Sequence, residues 1–182
     1  MRDLIYVWSY IAVSLPHLIL GLLDVRPMTG YDLKKAFDGT VAHFWSADQA
    51  QIYRVLGRLE TDGMVASTVH PQRGKPDRRE YAVTPTGVKE LRGWLRSPLE
   101  IERAREPFLG RVFFSGRDED PELVRGLLAE RRRAVLHRLR VLEAIAAADG
   151  SLAERMRTAT LRHGVLHLRA EAAWLDETEE AL

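Results

Sequence analysis

The hydrophobic period changes once within the first half of the chain, from a helical repeat to a strict alternation. Residues 46–62 carry apolar side chains at helical spacing, which predicts a helix with one buried face. The positions of this face are Ile52, Val55, Leu56 and Leu59. We expect Ser46 to cap the helix in a capping box with Gln49. Gly63 is expected to end it in the left-handed conformation.

The alternation that follows predicts a two-stranded β-ribbon. Residues 64–69 and 79–84 are typical of two strands. Residues 70–78 lie between them and carry two prolines, a glycine and three positive charges. The ribbon should therefore have a basic tip.

The N-terminal stretch is long and uncharged. Residues 4–23 contain no Asp, Glu, Lys or Arg, which matches the length of a membrane span. However, Pro16 and His17 interrupt the stretch, and no signal-type cleavage site follows it. We predict instead a first core helix over residues 15–23, with Pro16 in its first turn. Residues 1–13 are then an extension, either an arm that covers apolar surface or a non-native segment with translation starting at Val13.

Two further helices are expected around the ribbon. Thr29 can cap a second helix that keeps Lys34 and Lys35 outward, and Thr84 can cap a fourth that ends before Ser97. The aromatic residues that precede the ribbon's helix, Phe44 and Trp45, are expected to fill core.

The second half of the chain reads as helical. Residues 98–106 are rich in charge and bracketed by prolines, as in a linker. A short apolar helix over residues 108–114 should pack under two long ones, which run from Pro121 to about Ala148 and from Leu152 towards Leu182. Their apolar stripes are Val124, Leu128, Val135, Leu139, Leu142 and Ile145 in the first, and Leu152, Met156, Ala159, Leu166, Ala170 and Trp174 in the second.

Two long amphipathic helices without further core material predict a homodimer. A two-fold interface is the commonest way to cover such stripes, and the alternative is a monomeric αα-hairpin folded back on the first domain. The residues expected at the dimer interface are Val124, Leu128, Val135, Leu142, Met156, His163, Leu166 and Trp174.

Charge and cysteine content narrow the function classes only slightly. The net charge is +1. Residues 1–97 hold 13 Lys and Arg against 10 Asp and Glu, or +3, and residues 98–182 hold 14 against 16, or −2. The first half is the one suited to a polyanion, although the excess is small. The chain has no cysteine, which excludes disulfides and Cys-ligated zinc and fits a reducing cytoplasm.

Catalytic patterns are absent from the sequence. No Ser, His and acid grouping has motif context, and no Gly-rich phosphate loop occurs. His163, His167 and Glu171 share one helical face at metal-ligand spacing, but His163 falls in the stripe expected to be buried. We therefore expect a hydrogen-bonded interface histidine, and neither a metal site, a cofactor nor an enzyme.

The helix over residues 46–62 has an outward face suited to DNA. Gln51, Arg54 and Arg58 lie on it, with Tyr53 between the two faces. Gln and Arg read base edges in the major groove, while cations at a ribbon tip neutralise phosphates. The alternative is an ordinary αββ element with a solvated charged face.

Several motifs in order resemble the PadR family of bacterial transcriptional regulators, in the branch with a virulence-activator-type C-terminal domain. They are Ser14-Leu15-Pro16-His17, Ile19-Leu20, Thr29-Gly30-Tyr31-Asp32, Phe44-Trp45, Gln51-x-Tyr53-Arg54-x-Leu56, Gly74-Lys75-Pro76-Asp77-Arg78, Tyr81, Thr84 and Gly87. The resemblance implies a winged helix-turn-helix that binds a palindromic operator as a dimer held by C-terminal helices. Some family members respond to phenolic or other hydrophobic compounds.

Together these observations predict a mainly α fold with an α+β wing. An N-terminal extension (1–13) precedes a winged helix-turn-helix DNA-binding domain (14–97), a linker (98–106) and a helical dimerisation domain (107–182). The expected DNA contacts are Tyr31, Lys34, Lys35, Ser46, Gln49, Gln51, Tyr53, Arg54, Arg58, Arg73, Lys75, Arg78 and Arg79.

The expected partners are double-stranded operator DNA and a second copy of the chain, with no membrane. A small hydrophobic effector would occupy an apolar pocket between the domains, near Trp8, Trp45 or Phe113. The alternative function is a ligand-binding sensor or a protein-interaction adaptor on the same scaffold.

Overall fold

The computed structural model describes the backbone of residues 2–71, 77–99 and 106–182, and their side chains except those of residues 2–13 and Asp118. Contacts divide the chain into two compact units, Met1–Glu100 and Ile101–Leu182. Most of the predicted linker, residues 100–105, lies outside the described residues.

The first unit is a small antiparallel sheet covered by helices. Its elements are α1 (Arg2–Val25), β1 (Met28–Thr29), α2 (Gly30–Ala36), a π-helical turn (Phe37–Val41), α3 (Gln49–Thr61), β2 (Val65–His70), β3 (Arg78–Val83) and α4 (Pro85–Trp94). The strand order is β1-β3-β2, with both pairs antiparallel. This arrangement confirms the predicted winged helix-turn-helix, with strands one residue away from the expected bounds.

The core of this unit joins α1, α2 and α3 to the sheet. The predicted α3 stripe is buried at Ile52, Leu56 and Leu59, while Val55 is half-buried against the same core. Leu33 of α2 is completely buried beside it. Burying each such side chain contributes roughly 1.5–3 kcal/mol, so this cluster fixes α3 against the rest of the unit.

The end of α3 shows how glycine sets the direction of the ribbon. Gly63 has φ +68°, and the amides of Gly63 and Met64 bond to the carbonyls of Glu60 and Leu59 at 3.0 and 2.8 Å. This is a Schellman motif, and it needs the left-handed residue that glycine supplies without strain. The chain therefore turns directly from α3 into β2, as predicted.

The first helix differs from the prediction. Pro16 lies inside α1 rather than in its first turn, because the helix already begins at Arg2. A proline there lacks the N–H that would bond to the carbonyl of Ala12. In the described part of the chain no helix is long and apolar enough to cross a membrane.

The second unit is an antiparallel helical hairpin with a short helix beside it. Its elements are α5 (Pro107–Ser115), a 3-10 turn (Gly116–Asp118), α6 (Pro121–Glu143) and α7 (Leu152–Glu180). Three ion pairs tie α6 to α7: Arg131 to Glu171 and Arg132 to Asp176, both at 2.6 Å, and Arg169 to Glu143 at 2.5 Å. The end of α6 comes before the predicted Ala148, because the backbone of Ala148 exchanges hydrogen bonds with the Thr158 hydroxyl instead.

The hairpin core corrects the predicted stripe of α7 and the set of interface residues. Leu168 and Leu175 are buried against α6, whereas Leu152, Met156 and Leu166 are exposed. Four residues expected at the dimer interface are buried within the chain itself, since α7 already covers the stripe of α6. These four are Val124, Leu128, Val135 and Leu142.

The short helix α5 packs through only one side. Phe108 contacts Trp174 edge-to-face at 6.3 Å between ring centroids and lies under the Arg131 guanidinium at 5.2 Å. Phe113 and Phe114 are exposed. The prediction that α5 packs under the long helices therefore holds for Phe108 and Val112 but not for these two phenylalanines.

Candidate nucleic-acid interface

The amino end of α3 is capped by Asp48, not by Ser46 as predicted. The Asp48 carboxylate accepts from the Gln51 amide at 2.7 Å, and the Gln51 side-chain oxygen accepts from the Asp48 amide at 3.0 Å. By sequence, Ser46 with Gln49 and Asp48 with Gln51 both fit a capping box. Because Ala47 is buried in the core, the helix is capped two residues later than predicted. Ser46 and Gln49 remain exposed at this end of the helix.

This cap changes what Gln51 can offer to DNA. Its side-chain oxygen is used within the helix start, and the residue is half-buried. Only the side-chain NH2 group remains to donate. A bidentate contact to adenine needs both the oxygen and the NH2 group, and the cap restricts the side-chain positions from which Gln51 could offer both.

Arg54 is the most available cation of the outward face. It is exposed, and in the described part of the chain its guanidinium forms no ion pair or side-chain hydrogen bond. Arg58 is also exposed, but it borders a groove of about 250 Å³ beside Pro16 and His17 of α1. Both arginines are thus exposed, and Arg58 also lines this groove whereas Arg54 does not.

Gly57 lies between these arginines and was missed by sequence reasoning. A Cβ added there would meet no atom within 4 Å, so packing does not require glycine. Glycine in a helix interior costs about 1 kcal/mol relative to alanine. A close approach by an external molecule would explain a glycine here, and the signal in the sequence was its position on the polar face.

Tyr53 joins α3 to α2. A Cβ at Gly30 would lie 2.5 Å from two ring carbons of Tyr53 and 2.7 Å from its hydroxyl oxygen. The ring therefore rests directly on the Gly30 backbone while 45% of the residue stays exposed. Tyr53 therefore packs α3 against α2 while part of the residue stays at the surface.

The cations of α2 differ in availability. Lys34 is half-buried and paired with Asp38 on the next turn. Lys35 is exposed without an ion pair in the described residues, and Tyr31 is exposed beside it. Lys35 and Tyr31 are the better placed of the predicted α2 contacts.

A hydrogen-bonded network locks the base of the ribbon to α3. Arg79 donates to both carboxylate oxygens of Glu60 at 2.8 and 2.7 Å and to the Ser67 hydroxyl oxygen at 2.9 Å. Ser67 in turn donates to Glu60 at 2.6 Å, and the guanidinium lies 5.5 Å from the Tyr81 ring centroid. The bond from Ser67, followed by the bonds and charge of Arg79, lowers the pKa of Glu60.

This network gives Arg79 a positioning role at the base of the ribbon. Its Nε and one terminal nitrogen donate to Ser67 and Glu60, and the Glu60 carboxylate balances its charge. Arg78 is also paired, with Asp32 and Glu80 at 3.5 Å each. The bond from Thr29 and, more weakly, the charge of Arg78 lower the pKa of Asp32. Arg73 and Lys75, predicted at the ribbon tip, lie outside the described residues.

The aromatic pair ahead of α3 divides between core and surface. Trp45 packs against the core, as predicted, and its indole N–H is buried without a hydrogen-bond partner in the described part of the chain. Phe44 is 47% exposed, so the expectation that it fills core is wrong. The side chain of Trp8 lies outside the described residues, and Trp45 and Phe113 belong to different units.

The histidine group on α7 also differs from expectation. His163 is exposed, not buried, and its ring stacks on that of His167 with centroids 6.3 Å apart. Glu171 is held by Arg131. Among the described residues no group of three or more His, Cys, Asp or Glu could hold a metal ion within one chain.

Comparison with known families matches both units. The Transcriptional regulator PadR-like family matches residues 19–93, and Virulence activator alpha C-term matches residues 104–182. A probable transcriptional regulator of Mycobacterium tuberculosis is 32% identical over 189 residues, covering 93% of this chain and 98% of that protein.

Two further proteins have similar solved structures. Negative transcriptional regulator PadR of Bacillus subtilis is 31% identical over 122 residues, 65% of this chain and 67% of its own. Its complex with operator DNA has a TM-score of 0.81 at 23% identity, covering 93% and 98% of the two chains, and it has also been solved with p-coumaric acid. The Vibrio cholerae virulence activator AphA has a TM-score of 0.68 at 27% identity, covering 92% and 96%.

Proposed function

The chain belongs to the PadR-like family of transcriptional regulators, and from this premise we propose that it binds a palindromic operator as a homodimer, with α3 of each subunit in a major groove. The observation that carries the proposal is Arg54, an exposed arginine without an ion pair in the described residues, on a helix whose opposite face is buried at Ile52, Leu56 and Leu59.

Base reading is assigned chiefly to Arg54. An arginine that is free to extend can donate to O6 and N7 of one guanine, which discriminates against other bases by about 1–3 kcal/mol. Gln51 contributes a single donor group, while Tyr53 and Arg58 border the same face. Ser46 and Gln49 lie at the amino end of α3, where backbone phosphates are bound favourably.

Phosphate contacts are assigned to two groups of residues. Lys35 and Tyr31 on α2 form one group, and Arg73 and Lys75, which lie outside the described residues, form the other. Lys34, Arg78 and Arg79 hold acidic partners, so we expect them to contribute less to the salt dependence of binding.

The second copy would pair through the exposed face of α7. Its residues follow one another in alternating steps of four and three, which is the heptad spacing of a coiled-coil seam. They are Leu152, Met156, Ala159, His163, Leu166, Ala170, Ala173 and Glu177, all exposed. The opposite face of α7 is covered by α6, so this seam is apolar surface that the chain itself leaves uncovered.

Charge and side-chain size favour an antiparallel pair. Residues 152–166 carry three arginines and one glutamate, and residues 167–180 carry one arginine and five acidic residues. Antiparallel helices bring the basic half of one copy against the acidic half of the other. With the two-fold axis between Gly164 and Val165, Met156 meets Ala173, Ala159 meets Ala170, and His163 meets Leu166.

DNA selection by the full chain from a random duplex pool tests the proposal. We expect enrichment of a palindrome with half-sites one helical turn or a multiple apart, bound more weakly as salt rises. Arg54→Ala should lose discrimination at one position of each half-site by about 1–3 kcal/mol. Lys35→Ala should weaken all sequences alike.

Arg133→Ala, which removes an exposed arginine of α6, is the matched control. It should change neither the sequence preference nor the overall affinity for DNA. If Arg54→Ala kept the full sequence preference, Arg54 would not be the reader. If no sequence were enriched by the unaltered protein, operator binding itself would be excluded and a protein-interaction adaptor would become the better assignment.

A small hydrophobic effector is a second element of the proposal. It is supported by the Bacillus subtilis relative, which has been solved with p-coumaric acid. Operator release by aromatic acids, compared at constant pH and ionic strength, would test it. Because the proposed partner is DNA, the site of action is the bacterial cytoplasm.

A further inference from the structure

Two exposed histidines on α7 have the sequence spacing of paired metal ligands. His163 and His167 are one helical turn apart, with their rings nearly parallel at 9° and centroids 6.3 Å apart. Two imidazoles at this spacing on a helix are a known arrangement for ligating Zn²⁺. Both side chains are open to solvent, so neither is committed to the hairpin core.

A third ligand is not supplied by the same chain. Glu171 continues the same face by one more turn, but its carboxylate accepts from Arg131 at 2.6 Å. Arg169, which lies beside the pair, is drawn to Glu143 by two hydrogen bonds at 3.2 and 2.5 Å. The pair is therefore accessible to a cation, but with only two ligands.

In the antiparallel seam proposed above, the second copy would supply the missing ligands. With the axis between Gly164 and Val165 and a rise of about 1.5 Å per residue, His163 lies roughly 2 Å along the helix on one side of the axis. His167 of the partner subunit lies roughly 4 Å along on that same side. In a knobs-into-holes seam, a residue at the position of His163 packs into a hole on the facing helix. Here the hole would include His163, Leu166 and His167 of the partner subunit.

We propose that the four imidazoles contributed by His163 and His167 of two copies bind one divalent ion of the Zn²⁺ class at the two-fold axis. Four nitrogen ligands satisfy the tetrahedral preference of this ion, and the site is incomplete in a single chain. The proposal rests on the homodimer proposed above. Because the ion binds only the paired state, it stabilises that state by mass action.

Metal titration of the full chain, first stripped of metal, tests the site. Calorimetry with Zn²⁺ should give one ion per two chains, and Co²⁺ should give the intense visible absorption of tetrahedral coordination. Sedimentation should show the dimer dissociation constant falling at least tenfold with Zn²⁺. His163→Ala and His167→Ala should each abolish these effects, and His137→Ala, at an exposed histidine of α6, should abolish none.

The results that would contradict these expectations distinguish failure of the metal site from failure of the homodimer. One ion per chain, with no change in dimerisation, overturns the shared site. No ion bound by a protein that remains dimeric overturns the metal proposal and leaves the homodimer standing. A protein that stays monomeric with and without Zn²⁺ overturns the proposed homodimer, and the shared site with it.

Discussion

Gly57 interrupts the outward face of α3 with a residue that contributes no side chain. It lies between Arg54 and Arg58, and nothing within 4 Å would obstruct an added methyl group. The other exposed side chains of this face would compete for space with an approaching duplex, whereas a bare backbone would allow closer contact. At the scale of single residues, one missing side chain thus matters to the proposed interface as much as the unpaired Arg54.

Gly57→Ala should separate folding from DNA binding. We expect the free energy of unfolding to rise by up to about 1 kcal/mol, because alanine is the better helix former. Operator affinity should fall at least tenfold if the duplex contacts this backbone. Urea unfolding and binding titrations on the same preparation measure both quantities.

Gly126→Ala is the matched control, since Gly126 lies in α6 with equally open surroundings. It should raise stability similarly and leave operator affinity unchanged. Equal affinities for Gly57→Ala and the unaltered protein would show that DNA does not approach the backbone there.

Individual residues also mark where sequence reasoning was sufficient. Gly63 and Thr29 were placed correctly because each satisfies a local backbone requirement that a few neighbouring residues determine. Arg54 was recognised as outward from the helical period alone. The pairing of Arg79 with Glu60 was not foreseen, because it joins residues 19 apart across an element boundary.

At the scale of elements, the start of α3 was ambiguous in the sequence. Ser46 with Gln49 and Asp48 with Gln51 are both capping boxes by pattern. The choice between them depends on Ala47, which enters the core and is 7% exposed. Local patterns could not decide this, because the deciding contact is tertiary.

Asp48→Ala should destabilise the chain by about 1 kcal/mol, within the roughly 0.5–2 kcal/mol typical of cap removal. Ser46→Ala should stay within about 0.5 kcal/mol of the unaltered protein, as exposed substitutions usually do. Urea unfolding of both variants measures the difference. A larger loss for Ser46→Ala would mean that α3 begins earlier in solution.

The ribbon base should respond to acid through Glu60. Its pKa is lowered in the folded protein, so its stabilising contribution is present above the ordinary pKa of about 4.3 and is lost as pH falls through the lower folded value. Glu60→Gln should therefore be less stable than the unaltered protein at pH 7, and the gap should narrow as the pH falls below the ordinary pKa of about 4.3.

Urea midpoints at several pH values measure this gap. Glu130→Gln, at an exposed position of α6 without an ion pair in the described residues, should show no such gap. A constant difference for Glu60→Gln across the range would mean that the network acts through its hydrogen bonds and not through its charge.

At the scale of the whole molecule, α7 has two apolar faces with different roles. Leu168 and Leu175 close the hairpin within the chain, while Met156 and Leu166 remain exposed. The helical spacing in the sequence identified the stripe that contains Met156 and Leu166, and we expected that stripe to be buried. It did not distinguish this face of α7 from the one that packs against α6. Both faces are apolar, and composition alone does not say which one α6 covers.

Met156→Glu should convert a dimer into monomers, because it places a charge in the proposed seam. We expect a shift to the monomer mass by light scattering and a loss of operator affinity of at least tenfold. Ala134→Glu adds the same charge at an exposed site of α6. It should change neither the mass by light scattering nor the operator affinity. A dimer that survives Met156→Glu would place the interface elsewhere on the chain.

The proposed seam would also set how sharply a gene controlled by this protein switches. Pairing through α7 would consume two chains for each competent regulator, so when most chains are unpaired, halving their number would leave about a quarter of the dimers by mass action. Occupancy of the promoter would then follow the square of the cellular dose. A modest change in synthesis or turnover would produce a disproportionate change in transcription, without any effector.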